Sequence, residues 1–220
     1  NFFQMPYINQ KDVLKTVDWM RDAVFYQIFI DRFYQGNQKK DTGYINMAWG
    51  GKPTPKSFAG GDIDGIIEKL DYLESLGITA LYLTPVFSSV SNHKYDIRNY
   101  WMIDPQFGSN DDLRRLVEHA HKKGMKVVLD AVFNHCSMDL EQFQDVIKNG
   151  RDSIYADWFC LHDDKVDVEN GNYECFASCN YMPKFNTVNE QVQDFLIQIA
   201  VYWMKAAGID GWRLDVSDEV

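Results

Sequence analysis

Met125-Lys126-Val127-Val128-Leu129-Asp130-Ala131-Val132-Phe133, followed at once by Asn134-His135, is the stretch whose reading decides the fold. The aliphatic run is of strand length, and its polar residues gather at the C-terminal end. Three similar runs flank it: Ala23–Ile30, Ile78–Thr84 closed by Pro85, and a last strand beginning at Gly211. Between them lie helical patterns. Ile63, Ile66, Ile67, Leu70 and Leu73 recur at helical spacing up to Gly77, a suitable left-handed cap. Leu113, Leu116, Val117 and Ala120 line a second helix, capped by Ser109 or Asn110 and ended by Gly124. Val192, Phe195, Leu196, Ile199 and Trp203 line a third, ended by Gly208. The order is a parallel βα array of the α/β class.

Two architectures accept that array, an open doubly wound sheet and a TIM-type (β/α)8 barrel. No Gly-rich phosphate turn follows any strand, which removes the main support for a dinucleotide-binding sheet. Asp130, Asn134 and His135 at the end of the third strand, and Asp215 at the end of the fourth, would share the C-terminal face where barrel enzymes place their sites. Four strands are about half of such a barrel. The expected organisation is a lead-in or linker over 1–22, the first part of the barrel over 23–133, an inserted small subdomain over 134–188, and a third helix with the fourth strand over 189–220. A half barrel leaves two sheet edges unpaired, an arrangement that favours self-association.

The fourth strand reads Gly211-Trp212-Arg213-Leu214-Asp215-Val216. Alternation puts Arg213 and Asp215 on one face and Trp212 and Leu214 on the other. A guanidinium beside a carboxylate favours the charged form that a nucleophile needs, although an Arg-x-Asp pair is also a common structural ion pair.

The 220 residues carry a formal charge of −10 and are 45% hydrophobic and 15% aromatic. That composition supplies a core, and the acidic balance argues against nucleic acid and against anionic membranes as partners. No apolar run reaches the length of a membrane span. Cys136, Cys160, Cys175 and Cys179 form no Cys-x-x-Cys pair, so free thiols are favoured over a disulfide, with a cytoplasmic location as the default.

Six separated segments, in order, carry a resemblance: Phe25-Tyr26-Gln27-Ile28-Phe29 with Asp31-Arg32-Phe33, Gly60-Gly61-Asp62, Asn92-His93-Lys94-Tyr95-Asp96, Asp130–His135, Met182-Pro183-Lys184-Phe185-Asn186, and Gly211–Asp215. Together they resemble the N-terminal half of the catalytic barrel of alpha-amylase superfamily glycoside hydrolases, in the neopullulanase and cyclomaltodextrinase branch. The resemblance implies a retaining mechanism in which Asp215 is the nucleophile and Arg213 its partner, with a carboxylic acid about 5 Å away as proton donor. It implies that His135 and His93 contact the sugar, that Tyr95 stacks beneath it, and that Glu219 also belongs to the binding site. Asp130, Asn134 and Asp96 take structural supporting roles. The implied partner is an oligo- or polysaccharide α-glucan, and the full-length form is expected to be a homodimer.

The general acid is expected after a fifth strand, so the 220 residues alone are expected to be inactive. A transglycosylase with the same nucleophile, or a non-catalytic relative kept for binding, are the alternatives. Ser217-Asp218 stands where relatives more often carry Ala-Asn, which touches preference at the leaving-group sugar. The loop after the first strand resembles a calcium loop, with Asn37, Asp41, Gly60 and Asp62 as the ligand positions. Lys40 stands there where relatives offer an oxygen, and an ordinary solvated loop is the alternative.

Overall fold

Glycines set the turns that return each helix to the sheet: Gly77, Gly124 and Gly208 have φ of +76°, +73° and +73°, the left-handed conformation that costs glycine least. The computed structural model describes residues 16–220. Along the chain run α1 (Asp18–Arg21), β1 (Phe25–Ile28), α2 (Ile63–Glu68), α3 (Leu70–Ser75), β2 (Ala80–Leu83), β3 (Phe87–Ser89), β4 (Ile97–Ile103), α4 (Asn110–Lys122), β5 (Lys126–Ala131), α5 (Glu141–Asn149), α6 (Glu190–Ala206) and β6 (Gly211–Leu214).

β1, β2, β5 and β6 form one parallel sheet in that order, and β3 and β4 form a separate antiparallel pair. The register aligns Gln27, Tyr82, Val128 and Gly211 across the sheet, with Asp130 beside Arg213 two residues further on. One face is therefore polar and carries Gln27, Tyr82, Asp130 and Arg213. The reverse face carries Ile28, Leu83 and Leu129, all buried in the main apolar core, which includes residues from α2, α3, α4 and α6.

Helix α4 shows why its stretch is helical. Ser109 accepts from Asp112 N while Asp112 accepts from Ser109 N, a reciprocal capping box, and Leu113, Leu116, Val117 and Ala120 are buried on one side. In α6, Val192, Leu196, Ile199 and Trp203 are the buried stripe, and the Trp203 indole donates to Tyr100 O at 2.8 Å.

The structure departs from the sequence reading in four places. The run from Ala23 to Ile30 forms a strand only over Phe25–Ile28, with Phe25 43% exposed rather than buried on both sides. β1 pairs only with β2 among the described residues, so its outer flank has no neighbour to cover it. The helix expected over 63–73 breaks at Lys69 into α2 and α3. The β3–β4 pair and α5 were not anticipated. The lead-in expected over 1–22 lies outside the described residues up to 15, and Asp18–Arg21 within it form one helical turn. Residues 134–188 hold α5, short 3-10 turns and isolated bridges such as Phe159 with Phe185. Phe143, Phe159, Tyr173 and Phe185 from this stretch join the same core as the sheet.

Candidate active site

Arg213 and Asp215 leave β6 on the side that faces Asp130 of β5. Arg213 Nη1 donates to Asp215 Oδ1 at 2.6 Å and to Asp130 Oδ1 at 3.3 Å. The other Asp130 oxygen accepts from the Tyr82 hydroxyl and from the Tyr95 hydroxyl, the latter at 3.0 Å. Asp130 is 1% exposed, and burial, opposed by these donors and by Arg213, moves its carboxyl above the ordinary range. Arg213 is held further toward its charged form by hydrogen bonding to Asp215 and by the charge of Asp130, against a desolvation cost. Burial and the adjacent carboxylate push the Tyr95 hydroxyl up to about 12, so it remains a donor at neutral pH.

His135 lies just past β5 and is fully buried. Its ring stacks on Phe176 with centroids 4.5 Å apart and planes 17° from parallel. Burial lowers its pKa to about 4, with Asp215 and Glu219 pulling the other way, so the imidazole is neutral at pH 7. Its Nε2 and the neighbouring Asn134 Oδ1 are buried without a hydrogen-bond partner among the described residues. Asn134 joins the 134–188 stretch through its backbone, whose carbonyl accepts from Phe185 N at 2.9 Å.

The segment Asn92–Asp96 forms the adjoining wall. Asp96 accepts from the Ser89 hydroxyl at 2.6 Å and from the Ser91 hydroxyl, which fixes the turn. His93 Nδ1 accepts from Tyr95 N at 3.1 Å, and burial lowers its pKa. Lys94, with φ of +63°, turns inward; its ammonium is fully buried and pairs with Asp104 at 2.9 Å. Glu219 is bound to Lys184 Nζ at 2.8 Å on the surface. A cleft of about 610 Å³ opens beside this wall, lined by Phe58, Asn92, His93, Asp96, Met138 and Tyr181 among others. A second, of about 480 Å³, opens along the polar sheet face past Gln27, Tyr82, Val128 and Arg213.

Asp215, Arg213, Asp130 and Tyr95 thus form one connected cluster. His135 and His93 stand at its margin, and Glu219 lies near His135 but is paired with Lys184. Three participants had no individual signal in the sequence: Tyr82, Lys94 and Phe176. Tyr82 was hidden in an apolar strand. Lys94 stood in a quoted motif whose charge gave no hint of burial.

The positions expected to ligate calcium are otherwise engaged. Asn37 Oδ1 accepts from Lys39 N and Asp41 Oδ1 from Gly43 N, each a local turn. Asp62 accepts from Gly36 N, Asn37 N and Gly65 N. The Lys40 ammonium lies 2.5 Å from Gly60 O and 3.0 Å from Asp62 Oδ2. So arranged, with a positive charge already among them, these oxygens do not fit a calcium ion. All four cysteines are free thiols, and no described helix is long and apolar enough to cross a membrane.

The family model described as alpha amylase, catalytic domain, matches residues 27–220. The chain belongs to the alpha-amylase family. Within that family it is 49% identical to a cyclomaltodextrinase of Thermoanaerobacter pseudethanolicus, over 100% of this chain and 38% of that protein. It is 47% identical to the intracellular maltogenic amylase of Bacillus subtilis, over 100% of this chain and 37% of the relative. Among solved structures, a cyclomaltodextrinase matches with a TM-score of 0.87 at 45% identity, covering 99% of this chain and 38% of its own. The ligand-free cyclic alpha-maltosyl-(1→6)-maltose hydrolase of Arthrobacter globiformis matches with a TM-score of 0.87 at 42% identity, covering 92% and 46%. The chain spans less than half the length of each of these relatives. Its fold is accordingly that of part of an α/β, TIM-barrel-type alpha-amylase catalytic domain.

Proposed function

We propose that the polypeptide carrying this chain is a retaining α-glucan hydrolase of the cyclomaltodextrinase, maltogenic amylase and neopullulanase kind, acting on maltooligosaccharides, cyclodextrins, starch or pullulan. The observation that carries the reading is the 2.6 Å bond from Arg213 Nη1 to Asp215 Oδ1 at the end of a parallel strand, beside buried Asp130. An Asp215 oxygen attacks the anomeric carbon, and the glycosidic C–O bond breaks as the leaving oxygen takes a proton from a carboxylic acid. Water then cleaves the glycosyl ester with that acid acting as base. Arg213 orients the nucleophile, and Asp130 holds Arg213. Tyr95 offers its ring to the flat face of the sugar, and neutral His135 and His93 offer ring nitrogens to its hydroxyls. For His135 that contact requires its buried Nε2 edge to be uncovered. Glu219 would bind sugar only after leaving Lys184.

In the same reading the four parallel strands are the first four of the barrel, and residues 134–188 are its inserted subdomain. The proton donor belongs to a later strand, so these 220 residues by themselves do not turn over glucan. A cytoplasmic location and a homodimer of the whole protein complete the proposal. Trapping with an activated fluoro-glucosyl substrate tests it in the polypeptide that carries the chain. Peptide mapping should place the covalent sugar on Asp215; a label on Asp130, or an Asp215→Asn variant that still turns over, rules the assignment out.

A further inference from the structure

The loop between β1 and α2 is folded around an ammonium group. Lys40 Nζ has Gly60 O at 2.5 Å, Gln106 O at 3.0 Å, Asp62 Oδ2 at 3.0 Å and Gly61 O at 3.5 Å, and its side chain is only 8% exposed. Carbonyl and carboxylate oxygens converging from separate segments on one desolvated positive centre are the surroundings a hard cation takes. The Tyr44 ring adds a face 5.8 Å from the same nitrogen. Among the described residues Asp62 is the one carboxylate in contact, and a single positive charge balances it. A divalent ion bound at these oxygens would sit within contact distance of the ammonium, so the two cannot be held together.

We propose that Lys40 is the resident cation of this loop, that the loop is held without calcium, and that the same oxygens become a divalent-ion site once the ammonium is removed. The pin reaches beyond its own loop. Gln106, whose carbonyl accepts from Lys40, takes Lys94 Nζ on its side-chain oxygen at 2.7 Å, and Lys94 precedes Tyr95 of the candidate site. The inference rests on the loop alone and stands whether or not Asp215 is the nucleophile.

The test is thermal melting of the protein after EDTA treatment, with and without millimolar calcium chloride, alongside calcium titration calorimetry. The wild-type protein is expected to melt at the same temperature in both conditions and to give no binding heat. Lys40→Asn, which supplies an oxygen in place of the ammonium, should melt lower in EDTA by about 5 °C and recover in calcium. Lys40→Met should melt lower in both. A calcium-dependent rise or binding heat in the wild-type protein overturns the proposal without reference to any variant. So does a Lys40→Asn protein that melts like wild type in EDTA, or one that gains nothing from calcium.

Discussion

Asp130 on β5 and Asp215 just past the end of β6 are bridged by a single nitrogen: Arg213 Nη1 contacts an oxygen of each. Without that guanidinium two carboxylates would face each other across β5 and β6. Arg213→Ala should therefore lower kcat of the enzyme carrying this chain by about 10²–10³-fold. Arg213→Lys should recover little, because a lysine side chain ends one atom short of the Nη1 position that reaches both carboxylates. Steady-state kinetics on a maltooligosaccharide measure both; a variant within threefold of wild type would assign Arg213 no part in orienting Asp215.

The buried His135 gives stability a pH dependence with a defined sign. Its folded pKa of about 4 lies below the unfolded value of 6.5, so the unfolded chain takes up the proton first. The contribution is complete above pH 6.5, declines as the pH falls toward 4, and is constant below, amounting to about 3 kcal/mol over that window. Urea unfolding of wild type and His135→Gln from pH 7.5 to 4 should give curves whose difference shrinks on acidification. Parallel curves would mean that the imidazole is not held neutral by burial.

Lys94 and Asp104 form a buried ion pair, 0% and 3% exposed at their side chains. Lys94→Met alone strands the carboxylate and should cost about 3–5 kcal/mol. Adding Asp104→Asn removes the stranded charge and should return much of that loss. A double-mutant cycle in urea reports the coupling, and additive single effects would contradict the pairing.

Gly61 is fixed by space. A Cβ there would come within 2.0 Å of Ile30 O, where the backbone N of Gly61 already bonds to Asp31 O at 2.7 Å. Gly61→Ala should destabilise by about 3 kcal/mol or more, whereas Gly77→Ala, with open space around its Cβ but φ of +76°, should cost about 1 kcal/mol. Chemical denaturation of the two variants ranks them, and the reverse order would refute the close approach.

How much of this the sequence discloses follows from which forces are local. The helical stripes of α4 and α6, and the turn glycines after them, were legible because spacing and φ preference act within a few residues. The grouping of Asp130, Arg213 and Asp215 was legible because strand ends share a face in a parallel sheet. Tyr82 was not, since its hydroxyl meets Asp130 only after β2 and β5 pair in one register. Lys94 is equally opaque as a buried group: a charged residue is ordinarily read as solvated, and what buries it lies in other segments. The break at Lys69 is illegible in the sequence because the apolar stripe runs through it uninterrupted.

The candidate nucleophile sits on a rim. β6 has a neighbour on one flank only among the described residues, and the side chain of Arg213 is 45% exposed. Water reaches the guanidinium, so the attraction between Arg213 and Asp215 is muted by a high local dielectric. Whatever segment packs against that flank would dry the pair and strengthen it several-fold with no change in a single bond length. If Asp215 is the nucleophile proposed above, its reactivity becomes a property of how completely the strand is covered.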